Sequence, residues 1–318
     1  MRPIVVLPFS SQAKAFCGEA RQMLLDAGFE LRCNETGKRP TEDELKELLR
    51  GAFAAVAGTE SYTEAVISSA DSLRAVIRFG VGTDNLDLAA MKARGIKAGC
   101  ITNHDSVAEF ALTLMLGLIK NLPGLDETAR SGRWTRLPMR ELRGKTVGIV
   151  GFGRIGRRLA ELLRGFRVRL LVFDPYVDGD ALENLGAERA SFEELLANSD
   201  IVSLHLPYTP QVRHLINADT LAAMKDGAYL INTARGGLVD ENALRGALVS
   251  GKLAGAALDV YETEPVREDD PLLSLKNTIL TPHASAQSFE TNYNGSLICA
   301  ESIIRIYEGG EPLYPVRM

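Results

Sequence analysis

Short apolar runs recur along the chain at 4–7, 54–57, 75–79, 147–150, 170–173, 201–206, 229–231, 256–260 and 278–280, each the length of a buried strand. Between them apolar residues recur at helical spacing. Ser191-Phe-Glu-Glu194 has capping-box spacing, with Leu195 and Leu196 directly behind it. A very apolar helix is predicted over 107–121 and a final one over 285–308. Strands alternating with helices predict an α/β fold, with doubly wound parallel sheets covered on both faces. No solenoid repeat and no low-complexity segment interrupts the pattern.

A glycine-rich motif begins near residue 146, and about a hundred residues of α/β pattern precede it. This order predicts two Rossmann-like domains with a cleft between them. The helix at 107–121 carries the chain across, and the final helix carries it back. The first domain is then discontinuous, 1–100 plus 286–318, and the second spans 101–285.

A length of 318 residues suits two domains, and 46% apolar with 24% charged residues suits a soluble globular protein. The net charge of −5 argues against a general binder of nucleic acid or acidic membrane. The longest apolar run, 110–119, is too short to span a bilayer, and the N-terminal residues read as a first strand rather than a signal peptide. Cys17, Cys33, Cys100 and Cys299 lack CxxC spacing, and with four histidines they form no metal pattern. The expectation is reduced thiols, no metal and a cytoplasmic protein.

The motif itself is more specific. A strand over 145–150 leads into Gly151-Phe152-Gly153-Arg154-Ile155-Gly156, a helix follows, and the next strand ends on Asp174, eighteen residues past Gly156. This is the dinucleotide fingerprint in its full context. Gly151 makes the tight turn, Gly153 admits a pyrophosphate, and Gly156 lets helix and strand pack closely. The helix N-terminus stabilises the anion. Asp174 accepts from ribose hydroxyls and repels a 2′-phosphate, so NAD is expected over NADP.

Three polar residues then stand where strands should end. Arg235 follows 229–231 in Asn232-Thr-Ala-Arg-Gly-Gly237. Glu264 lies in the exit loop after 256–260, and His283 closes Thr278-Ile-Leu-Thr-Pro-His283. Ligands bind along that edge of a parallel sheet. Taken alone, a loop glutamate is an ordinary solvated charge. Together the three form a catalytic set: a histidine acid/base, a carboxylate that orients it, and a guanidinium fork for a substrate carboxylate.

In that order, GFGRIG with Asp174, NTARGG, DVYETEP and TPHAS resemble the D-isomer-specific 2-hydroxyacid dehydrogenases over nearly the whole chain. The resemblance implies Arg235 on the substrate carboxylate, Glu264 paired with His283, and His283 as acid/base. It implies a flavodoxin-like substrate-binding first domain, an NAD-binding second domain and a homodimer. It adds Val107, Pro175, Tyr176, His205, Leu206, Pro207, Thr209, Thr233, Ala234 and Asp259 to the cofactor side, and the backbone at Val81 and Gly82 to the substrate carboxylate.

The small-molecule substrate is less defined. Phosphoglycerate dehydrogenases place basic residues around a phosphate, and Arg78 and Arg136 stand at matching places. A third, expected at the end of the second N-terminal strand, is missing from Val56-Ala-Gly-Thr-Glu60. Ala98-Gly-Cys-Ile-Thr-Asn103 also departs from the family's loop before Ser106. The leading substrate is 3-phosphoglycerate, with hydroxypyruvate or glyoxylate reduction as the alternative and an NAD-sensing corepressor as a remote one. With the sequence ending at Met318, no amino-acid-binding regulatory domain is expected.

Overall fold

The computed structural model describes residues 2–7, 16, 18–36, 38–102 and 104–317. The chain divides into two compact units, Met1–Asn103 with Ala286–Met318, and His104–Ser285. In the first unit, β1 (Ile4–Leu7), β2 (Glu30–Cys33), β3 (Ala52–Ala57), β4 (Ala75–Arg78) and β5 (Lys97–Cys100) form a parallel sheet of order β2-β1-β3-β4-β5. Between them run α1 (Glu19–Asp26), α2 (Glu42–Leu49), α3 (Glu64–Ser69) and α4 (Leu88–Ala93). The alternating strand period separates two cores: Val6 and Val76 face one cluster, Val5, Leu7 and Ile77 the other. Thr41 starts α2 with a complete capping box, accepting from Glu44 N–H while the Glu44 carboxylate accepts from Thr41 N–H.

The second unit opens with α5 (His104–Ile119) and α6 (Leu122–Arg130), then β6 (Thr146–Val150) and α7 (Arg154–Leu163). Next come β7 (Arg169–Phe173), α8 (Gly179–Glu183), β8 (Ala187–Arg189), α9 (Phe192–Asn198) and β9 (Ile201–Leu204). It continues through α10 (Ala218–Ala223), β10 (Ala228–Asn232), α11 (Glu241–Val249), β11 (Leu253–Leu258) and β12 (Thr278–Leu280). All seven strands are parallel, in the order β12-β11-β10-β9-β6-β7-β8. The capping box expected at Ser191 is present, with both reciprocal bonds. Strands are buried on both faces: Val150 and Leu230 pack with Leu195 and Leu244, whereas Ile149 and Ile231 pack with Ala111 and Leu159.

The last helix, α12 (Phe289–Tyr307), belongs to the first unit, where Cys299, Ile303 and Ile306 pack against Leu7, Leu24 and Ile77. The segment ending at Glu60 leaves the third strand of its sheet rather than the second, because the polar β2 precedes it. Cys33, Cys100 and Cys299 are free thiols, and Cys17 lies outside the described residues. Among the described residues no single helix is long and apolar enough to cross a membrane, and no cluster of His, Cys, Asp and Glu could hold a metal ion.

Candidate active site

The chain leaves β6 toward β7 and β8, then returns to β9 on the other side of β6. That reversal is the switch point where an open parallel sheet leaves a crevice. Both loops beside it are shaped by backbone contact. Gly151 has φ 94°, and a Cβ there would lie 2.7 Å from the carbonyl carbon of His205. A Cβ on Gly156 would lie 2.3 Å from Gly151 O, whereas one on Gly153 would meet nothing within 4 Å. The loop is therefore tight where it turns and where α7 packs, and open at Gly153, as a pyrophosphate seat requires. Arg154 and Gly153 are exposed, Ile155 is half-buried and Phe152 is buried.

Asp174 follows the end of β7. Its Oδ2 accepts from Phe152 N–H at 2.7 Å and its Oδ1 from Tyr176 N–H at 2.8 Å. Each carboxylate oxygen keeps a second acceptor site. Pro175 and Tyr176 are exposed beside it. These features fit an NAD-type dinucleotide: a glycine cradle, a helix N-terminus and a half-buried acid at the adjacent strand end. Of the β9 exit residues, His205 and Leu206 are half-buried, and Pro207 and Thr209 are exposed. His205 Nε2 lies 2.8 Å from Ser203 Oγ, and burial lowers the imidazole pKa to about 4, keeping the ring neutral. In the sequence Ser203 is marked only as a polar residue inside an otherwise apolar strand.

β10, β11 and β12 lie side by side, so their C-terminal loops are neighbours. His283 and Glu264 meet there, with Nδ1 2.8 Å from Glu264 Oε2. Glu264 Oε1 also accepts from Tyr261 N–H at 3.1 Å. Burial pushes the Glu264 carboxyl up. The His283 hydrogen bond and charge, the Tyr261 N–H and the Arg235 charge outweigh this and hold it below the ordinary carboxylate range. The Arg235 charge thus reaches this carboxylate. The half-buried Arg235 donates from Nη1 to Ala234 O at 2.6 Å, and Asn232 fixes its backbone, donating from Nδ2 to Arg235 O at 2.9 Å. Two further residues assigned to the cofactor side flank this loop and α5: Thr233 is buried, and Val107 is 4% exposed.

Asp259, fully buried at the end of β11, shapes the His283 loop. Its Oδ1 accepts from Thr281 Oγ1 at 2.6 Å and from Ala284 N–H at 2.8 Å; its Oδ2 accepts from Ser285 N–H at 2.9 Å. Between those anchors His283 adopts φ 52°, a left-handed conformation that costs a non-glycine residue about 1 kcal/mol. Ser106 Oγ donates to Ser285 O at 2.7 Å and holds the same loop from α5. The loops of Arg235 and Glu264 also touch directly, since a Cβ on Gly236 would lie 1.9 Å from the carbonyl carbon of Tyr261. Outside them, His214 Nε2 lies 2.9 Å from Glu262 Oε2.

Residues 112–285 match the NAD-binding domain of the D-isomer-specific 2-hydroxyacid dehydrogenases. The chain belongs to that family. It is 37% identical to a glyoxylate reductase of Korarchaeum cryptofilum over 299 residues, covering 91% of this chain and 90% of that one. It is 38% identical to a D-3-phosphoglycerate dehydrogenase of Archaeoglobus fulgidus over 272 residues, covering 84% of this chain and 52% of that one. The chain thus spans about half the length of the phosphoglycerate dehydrogenases it matches. Among solved structures, the TT0316 protein of Thermus thermophilus superposes with a TM-score of 0.91 at 32% identity, covering 99% of this chain and all of that one.

The other candidate residues of this family member lie apart in sequence. Arg78, Val81 and Gly82 belong to the first unit, on and after β4, with Val81 exposed and Arg78 and Gly82 half-buried. Arg136 belongs to the second unit and is exposed.

Proposed function

We propose that the chain is an NAD-dependent D-2-hydroxyacid dehydrogenase that interconverts a small 2-hydroxy acid and its 2-oxo acid. The observation that carries this reading is the His283–Glu264 pair beside Arg235, at neighbouring strand ends of the domain with the dinucleotide cradle. Bound at Gly151–Gly156 and Asp174, the cofactor supplies or accepts the hydride. His283 handles the proton. Its Nδ1 is engaged by Glu264, so Nε2 gives a proton to the carbonyl oxygen in reduction and takes it back in oxidation. Arg235 holds the substrate carboxylate and polarises the adjacent carbonyl. In the first unit, the N–H groups at Val81 and Gly82 are assigned to the carboxylate. A cytoplasmic homodimer is part of the same proposal, supported by the family resemblance.

Two substrate classes compete. The phosphorylated acid, 3-phosphoglycerate, draws on Arg78, Arg136 and the phosphoglycerate dehydrogenase relatives. Hydroxypyruvate or glyoxylate is favoured by the state of Arg78, whose Nη1 donates to Phe79 O at 2.8 Å and so turns back on its own loop. The test is NADH consumption, followed by absorbance, against 3-phosphohydroxypyruvate, hydroxypyruvate, glyoxylate and pyruvate, repeated with NADPH. Turnover with NADH and little with NADPH is expected; no turnover of any 2-oxo acid would refute the dehydrogenase reading.

A further inference from the structure

The glycine turn after β6 carries two ionic groups on one residue. Phe152 N–H donates to Asp174 Oδ2 at 2.7 Å, and Arg157 Nε donates to Phe152 O at 3.0 Å. A carboxylate and a guanidinium are thus bound to the N–H and the carbonyl of the same residue. The guanidinium also lies 5.8 Å from the centroid of the Phe152 ring, within cation–π reach. Arg157 N–H donates to Gly153 O at 3.0 Å, so the arginine stands one helical turn behind Gly153 and shares its face. That face is the open one: both residues are exposed, and Gly153 is where the cradle leaves room for a ligand. Nearby cations are committed elsewhere. Arg158 pairs with Asp105 at 2.7 Å and with Glu161 at 2.8 Å, and Arg189 on β8 donates to Val177 O at 2.6 Å. Among the described residues no carboxylate pairs with Arg157, and neither of its Nη groups has a hydrogen-bond partner. Arg157 is therefore a cation pinned at Nε with its donor fork still available.

An acid at the position of Asp174 reads the ribose hydroxyls of a dinucleotide, and an arginine near such an acid is what accommodates a 2′-phosphate. That phosphate brings roughly two negative charges. Asp174 repels them, and the fork of Arg157, across Phe152, attracts them. We propose that Arg157 is a second cofactor-specificity residue: Asp174 sets the preference for NAD, and Arg157 is the counter-ion that sets how much NADP is still admitted. The inference rests on the NAD-binding reading of the cradle and deepens it. Because Arg157 is exposed, solvent and salt screen its charge and keep the contribution modest.

The test reads binding rather than turnover. NADH and NADPH, which differ only by the 2′-phosphate, are titrated by their fluorescence into the full chain with no 2-oxo acid present. Arg157→Gln, made in wild type and in Asp174→Ala, should weaken NADPH about tenfold in both backgrounds and NADH by much less. Arg157→Lys keeps the charge without the fork and should lose only part of the NADPH affinity. The difference between arginine and glutamine should shrink at about 1 M salt, which a purely structural role would not show. An equal loss of NADH and NADPH in Arg157→Gln would make the arginine a pin for the turn and overturn the proposal, as would no loss of either. An Asp174→Ala variant that binds NADH but no NADPH would also overturn it, because the cation would then stand unopposed. Failure of wild type to bind NADH would instead remove the cofactor reading beneath it.

Discussion

Glu264 Oε2 lies 2.8 Å from His283 Nδ1, and the carboxyl is held below its ordinary range by that bond, by Tyr261 N–H and by the Arg235 charge. The sign follows from the lowered value. The pair is intact at neutral pH and is lost only as pH falls through that value, so it persists further into acid than an unperturbed glutamate would allow. His283→Ala should lower kcat by about a hundred- to ten-thousand-fold while NADH still binds by calorimetry. Glu264→Gln removes the carboxylate that orients the imidazole through Nδ1, so kcat for reduction should fall about tenfold or more. An unchanged kcat would separate Glu264 from the proton transfer.

Arg235 donates to Ala234 O and has its own carbonyl bonded by Asn232, so the side chain leaves a backbone fixed on both sides. Lysine there keeps the charge and loses the fork. Arg235→Lys should lower kcat/KM for 2-oxo acids roughly a hundredfold. Near-normal turnover would place the substrate carboxylate elsewhere.

Asp174 accepts from Phe152 and Tyr176 N–H groups and faces the dinucleotide cradle. Asp174→Ala strips acceptors from both loops and removes the charge that opposes a 2′-phosphate. NADH affinity should fall about tenfold, and the NADH-over-NADPH preference should shrink. An unchanged preference, measured as a kcat/KM ratio for the two cofactors, would remove Asp174 from cofactor choice.

Burial lowers the pKa of His205 from 6.5 to about 4. Below about pH 6.5 the unfolded chain therefore takes up a proton that the folded chain refuses. This contribution to stability is complete above 6.5 and is lost as pH falls toward 4. By pH 5 the loss is about 2 kcal/mol. Urea unfolding of wild type and His205→Gln at pH 7.5 and 5 should show a pH dependence smaller by about that amount in the variant.

The apolar runs of the chain mark the strands that have neighbours on both sides. Three strands escape that pattern: β2, whose sequence is Glu30-Leu-Arg-Cys33; β5, Lys97-Ala-Gly-Cys100; and β8, Ala187-Glu-Arg189. Each lies at the edge of its sheet, paired on one side only, so burial on both faces does not impose the continuous apolar run that β6 or β10 shows. The short edge strand β12 was legible because Thr278-Ile-Leu280 is apolar and ends in a motif. The candidate site divides in the same way. Arg235, Glu264 and His283 are legible because polar residues after apolar strands are conspicuous. The anchoring by Asp259, Ser106 and Ser203 is not, because an ordinary acid or hydroxyl acquires that role only through partners distant in sequence.

The anchoring at Asp259 also bears on how relatives are sorted. One buried carboxylate accepts from Thr281, Ala284 and Ser285 and so sets the backbone path on which His283 stands. A descendant that lost this acid would keep its arginine, glutamate and histidine and would still be counted as an enzyme by any inventory of reacting groups. It would carry the full set of reagents on a misdirected loop, and inactive members of the lineage should be sought among such intact-looking sequences.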